Sequence, residues 1–158
     1  MLSVDDFKTV IESTPLISID LVIENVDGEI LLGKRNNRPA KGYWFVPGGR
    51  VLKDEILQNA IERLVNVELN LTFTEINSKF LGVYQHFYDD NFVDETFSTH
   101  YVVLAYKLTL NIEVPSLPQE QHSEYKWFSQ KDLLAHNGVH IHSKWYFQNE
   151  QQADISFK

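Results

Sequence analysis

The sequence predicts a layered α/β (α+β) domain, and three features carry that expectation. Short apolar runs of strand length recur along the chain, beginning at 16–24. A longer segment, 55–69, carries apolar residues at helical spacing. Turn signals, Asp27-Gly28 and Pro47-Gly48-Gly49, fall between them. Strands interleaved with a few helices bury their apolar faces by stacking in layers.

Each element has a local reason. Ser3 is a cap residue ahead of Val4, Phe7, Val10 and Ile11, so a short helix is expected, ended by Thr14-Pro15. From Leu16 to Glu24, Ile17, Ile19, Leu21 and Ile23 share one strand face, and Ser18 and Asp20 lie on the other. Asp27-Gly28 turns the chain into a returning strand, 29–35. Residues 36–42 read as loop, and 43–46 as a short aromatic strand halted by Pro47-Gly48-Gly49. The helix over 55–69 carries a stripe of Leu57, Ala60, Ile61 and Leu64, continued by Leu71. Strands are expected at 80–88 and 98–110, a loop at 115–124 and a short strand at 125–128. Ser129 caps a helix at 131–134, and a last amphipathic helix carries Trp145, Tyr146 and Phe147.

The 158 residues read as one domain, 1–158, without repeat or linker. Net charge is −8, which argues against nucleic-acid or anionic-membrane partners but not against a locally bound phosphate. The absence of cysteine excludes thiolate metal sites and a thiol nucleophile. Neither a secretory signal nor a membrane-length apolar run is visible, so a cytoplasmic protein is expected.

The chemistry concentrates in Gly48-Gly49-Arg50-Val51-Leu52-Lys53-Asp54-Glu55, followed by Arg63 and Glu68. Glu68 lies eleven residues after Leu57 and four after Leu64. At 100° per residue that puts a carboxylate on the apolar stripe. A buried charge needs a cation or an arginine. The other reading is a helix frayed by residue 68, with Glu68 solvated.

These residues resemble the Nudix box, G-x5-E-x7-R-E-U-x-E-E-x-G-U, where U is aliphatic. Gly49, Glu55, Arg63, Glu68 and Leu71 fit it, whereas Leu64, Val67 and Asn70 replace two acidic residues and the last glycine. That pattern of losses is similar to one branch, the GDP-mannose mannosyl hydrolases. The similarity extends through Gly42-Tyr43-Trp44-Phe45-Val46-Pro47, Gln85-His86-Phe87-Tyr88-Asp89-Asp90, Thr99-His100-Tyr101 and Glu120-Gln121-His122.

The resemblance implies a mixed sheet sandwiched between helices and hydrolysis of GDP-mannose, with GDP-glucose a second candidate substrate. It implies one Mg²⁺, with Mn²⁺ an alternative, held by the Gly48 carbonyl, Glu68 and Gln121. His122 is then the general base, Arg35 and Arg50 clamp the diphosphate, and Tyr101 donates to the leaving group. Asp20, His86 and Arg63 surround the mannose. A homodimer is implied as well, with Phe7 binding substrate or reaching the partner. Two other readings stay open: a Nudix pyrophosphohydrolase attacking phosphorus of another nucleotide sugar, and a non-catalytic nucleotide-binding module.

Blander expectations stand beside these. His140-x-His142 is expected at the surface, and a second reading has Arg63 pair only with helix carboxylates such as Glu62 or Glu68.

Overall fold

A computed structural model describes residues 2–72, 77–113 and 116–148. Helix α1 (Val4–Ser13) starts at Ser3, whose side chain accepts from the Asp6 amide as a cap should. Strands β1 (Leu16–Glu24), β2 (Ile30–Arg35), β3 (Trp44–Phe45) and β4 (Gly48–Arg50) precede helix α2 (Leu57–Leu69). Strands β5 (Ser78–Tyr88), β6 (Thr99–Thr109) and β7 (His122–Phe128) follow, then α3 (Gln130–Ala135), α4 (Ile141–Lys144) and a 3-10 turn (Trp145–Phe147).

The sheet runs β3-β2-β1-β6-β5, with β4 paired to β1 and β7 to β2. It is mixed, because β1 and β6 are parallel over nine residue pairs and the other pairings are antiparallel. On one face Ile19, Leu21 and Ile23 pack against Ala60, Ile61, Leu64, Val65 and Leu69 of α2. On the other, Val22, Ile30 and Leu32 meet Trp44, Phe128 of β7 and Leu133 of α3. The sheet is therefore sandwiched between helices, as expected, and β1 is buried on both faces.

Ser18 and Asp20 are buried along with Leu16 and Val22 on their face, whereas Ile17 at the strand's start is 52% exposed. The turn does return the chain antiparallel, but β2 meets β1 only at Glu24–Ile30. Beyond that pair β1 is occupied by β4, at Ser18–Arg50, Ile19–Gly49 and Asp20–Gly48. The glycines expected to halt a strand thus form one. A Cβ on Gly48 would sit 2.4 Å from the Ile19 carbonyl oxygen, so only glycine lets the backbones approach.

Three boundaries also move. α2 begins at Leu57 rather than 55, and Leu57 itself is 42% exposed. β7 begins at His122, inside the expected loop, because the chain from His122 onward pairs with β2. The last helix is only α4 plus the 3-10 turn. Among the described residues no helix is long and apolar enough to cross a membrane.

Candidate active site

One cavity of about 390 Å³ collects residues from eight elements, a size suited to a small organic ligand. Asp20 comes from β1, Arg35 from β2, and Gly48 and Arg50 from β4. Arg63 and Glu68 come from α2, His86 from β5, Tyr101 from β6, Phe7 from α1, and Gln121 from the segment before β7. Every residue to which the resemblance gives a metal, catalytic or substrate role lines this cavity except His122.

Glu68 is its chemical centre. It is 2% exposed, and neither carboxylate oxygen has a hydrogen-bond partner. The helix has therefore not frayed at residue 68. Burial pushes the Glu68 carboxyl up to about 7, against the opposing pull of the Arg35 charge. α2 ends one residue later at Leu69, and Asn70, in a left-handed conformation (φ 52°), caps the helix. Asparagine tolerates that conformation better than most residues, so it can stand where the box has glycine.

The two lost carboxylates are replaced by apolar groups on the same wall. Leu64 is buried, and a Cβ on Gly49 would meet it at 2.6 Å, so Gly49 is what lets α2 close on β4. Val67 is 47% exposed and borders the opening. Glu68 is the one carboxylate that α2 presents to the cavity.

His122 is placed differently from a base facing cavity water. Its ring is 2% exposed and packs over Gly33, where a Cβ would lie 2.5 Å from it. Nδ1 contacts the Tyr125 hydroxyl at 3.1 Å and lies 3.7 Å from Glu68 Oε2, while Nε2 is buried without a partner. Burial, aided by the Arg35 charge, holds the imidazole down at about 4. A neutral ring at 3.7 Å makes neither an ion pair nor a hydrogen bond with Glu68.

The arginines are held in distinct ways. Arg35 Nε donates to the Pro39 carbonyl at 2.9 Å, and the Arg50 guanidinium lies 4.0 Å over the Phe7 ring of its own chain. Arg63 forks onto Glu55 at 2.7 and 2.8 Å and donates to the Arg50 carbonyl at 2.9 Å. Its partner is thus Glu55, which lies ahead of the helix, rather than Glu62 or Glu68. The Arg63 hydrogen bonds hold Glu55 down at about 2. Arg63 borders the cavity, and its Nε and Nη2 donors tie β4 to α2.

Of the two histidines expected at the surface, His142 is buried and His140 is half-buried. His142 is 5% exposed and stacks on His86 at 4.1 Å, and the His140 side chain caps α4 by accepting from the His142 amide at 3.2 Å. Burial keeps His140 and His142 neutral, at about 4 and about 3. Tyr88, also on the cavity wall, and Tyr146, whose hydroxyl reaches Asp20 at 2.5 Å, were not singled out in the sequence. Tyr146 reads there only as part of an amphipathic helix.

The NUDIX domain model matches residues 14–148. The chain belongs to the NUDIX domain family. It is similar to the low-salt glycan biosynthesis protein Agl8 of Haloferax volcanii, at 42% identity over 127 residues, which are 78% of this chain and 77% of that one. Among solved structures it resembles the MutT Nudix hydrolase of Burkholderia pseudomallei, with TM-score 0.69 and 26% identity over 88% of this chain and 98% of that one. The MutT protein of Methanosarcina mazei Go1 is equally close, with TM-score 0.69 and 25% identity over 85% and 92% of the two chains.

Nudix hydrolases generally use a divalent metal such as Mg²⁺. The residues here suit one hard cation. Glu68 offers two unpartnered buried oxygens, and Gln121 and the Gly48 carbonyl border the same cavity. Mg²⁺ commonly takes one or two carboxylates and completes its shell with phosphate and water. Among the described residues no group of three histidine or acidic side chains is gathered for a metal cluster.

Proposed function

We propose that this Nudix hydrolase splits GDP-mannose into GDP and mannose, by attack of water on sugar carbon C1 with inversion. The observation that carries the reading is the single α2 carboxylate in the cavity. Leu64 and Val67 occupy the positions where the box has acidic residues. Attack on phosphorus in the ordinary Nudix manner draws on those carboxylates, whereas departure of a diphosphate from carbon needs mainly charge neutralisation. The relative's part in glycan biosynthesis supports a sugar-nucleotide substrate, because glycan assembly consumes such donors.

On this reading Gly48, Glu68 and Gln121 hold one Mg²⁺, which when bound neutralises charge on the leaving diphosphate. Arg35 and Arg50 clamp the diphosphate oxygens, and the Tyr101 hydroxyl donates to them. Asp20 and His86 contact the sugar, and Phe7 packs beside the nucleotide end next to Arg50. His122 is the assigned base from its place after Gln121, although its ring lies beneath Glu68. Asp20 and His86, both on the wall, are the next groups for that role. A cytoplasmic homodimer accompanies the reading.

Hydrolysis in ¹⁸O-water tests it. Label should enter mannose, and the first-formed sugar should be the β anomer from the α-linked substrate. Label in GDP, GMP or mannose 1-phosphate overturns carbon attack. Arg35→Ala and Arg50→Ala should each lower kcat, by roughly 10²-fold, as loss of one donor to a developing charge does. A change confined to KM would show that the arginines bind substrate and transition state alike.

A further inference from the structure

The inner end of the cavity is finished by a segment far along the chain. The Tyr146 hydroxyl donates to Asp20 Oδ2 at 2.5 Å and lies 3.4 Å from His86 Nε2. A phenol has one hydrogen, and here it goes to the carboxylate. A hydrogen bond between the ring nitrogen at 3.4 Å and the phenol oxygen would then have the nitrogen as donor, with the His86 proton on Nε2. The Tyr146 ring stands edge-on to Tyr84 at 4.9 Å, so its position is set by packing as well as by its hydroxyl. His142 stacks on the far side of the bundle, 4.1 Å from His86 with the rings 14° apart.

Asp20 and His86 line the cavity, whereas Tyr146 and His142 do not. The geometry points to Tyr146 as a positioning residue: it fixes Asp20 and His86 as a pair that reads the hydroxyls of the substrate's sugar. Tyr146 occupies one oxygen of Asp20. The other, Oδ1, faces the bare Gly48, where a Cβ would come within 3.0 Å of it. A carboxylate with one oxygen anchored has one direction left in which to accept, and direction is what separates sugars differing only in the configuration of a hydroxyl. Leaving a buried acceptor half-satisfied would both cost affinity and let the carboxylate turn.

This inference rests on the sugar-nucleotide reading, and the experiment separates the two. Tyr146→Phe keeps the ring against Tyr84 and removes only the hydroxyl, and its thermal unfolding is followed alongside. GDP, which lacks the sugar, should bind wild type and variant alike. The kcat/KM for GDP-mannose should fall roughly 10- to 100-fold, and the mannose-to-glucose preference should move toward one. In a double-mutant cycle Asp20→Asn should cost most of the same preference, and adding Tyr146→Phe should then cost little more. An unchanged sugar preference, equal losses of GDP and GDP-mannose binding, or additive effects in the cycle would each overturn the assignment. A wild type that binds GDP but turns over neither sugar nucleotide fails the functional reading itself. An active wild type beside an unaffected Tyr146→Phe fails only this inference.

Discussion

Glu68→Gln is expected to remove most turnover while making the metal-free protein more stable. The two effects share one origin. The carboxylate is buried, unpartnered and held up at about 7. Unfolded, it would return to the ordinary value of 4.5. Folding therefore favours the protonated form, so the penalty is absent below about pH 4, grows as pH rises, and is complete above about pH 7. Glutamine removes it, and the gain at pH 8 should be about 3 kcal/mol, vanishing near pH 4. Cation affinity should move the other way. Losing a directly bound carboxylate should cost at least the roughly 10–100-fold typical of an outer-sphere partner. Urea unfolding with chelator at pH 8 and pH 4, and Mg²⁺ titration calorimetry, measure both. Equal Mg²⁺ affinities would remove Glu68 from the ligand set. A variant less stable at pH 8 would mean that the carboxylate has an internal partner.

His122→Gln should lower kcat by about 10²- to 10⁴-fold if the imidazole takes the proton from water. Mg²⁺ affinity should hardly change, since His122 is adjacent to Gln121 without being a ligand. The pH profile supplies a second test. Burial holds the imidazole at about 4, so the neutral, basic form exists at all pH values above that. The acidic limb governed by this group should fall near pH 4, not near the usual histidine value of 6.5. A harmless His122→Gln would leave carbon attack intact and assign the ring to packing over Gly33 and beneath Glu68. Asp20 would then be the next base to test. His86 is held down at about 2 by burial, with His142 and His140 adding to the effect, and is a poorer candidate.

What could be read in advance was whatever rests on neighbours along the chain. Ser3 and Ser129 cap their helices as their positions suggest. Helical spacing places the carboxylate at 68 on the apolar stripe, and the continuation of α2 to Leu69 decides against a frayed end. What escaped depends on distant partners. Gly48-Gly49 reads as a stop because glycine weakens a strand in isolation. Beside Ile19 the missing side chains become the condition for pairing. His122 reads as part of a polar loop, and its burial follows from the bare Gly33 across the β2–β7 pairing. His140-x-His142 carries no signal that His86 and Phe45 will surround it with rings. Gathering these groups into one cavity is a property of the sheet order, which local pattern does not encode.

The bond between Tyr146 and Asp20 joins residues 126 apart in sequence, and that from the Val46 amide to Ser143 spans 97. The parallel pairing of β1 with β6 likewise waits for Tyr101 to meet Leu16. Contacts that close such long loops are entropically costly and slow to form. During synthesis β1, β4 and α2 are all made before the residues that complete the inner end of the cavity. A nascent chain cannot make the Tyr146–Asp20 bond until residue 146 has left the ribosome. Throughout the synthesis of residues 21–145, Asp20 is therefore without the hydroxyl that anchors it in the finished fold.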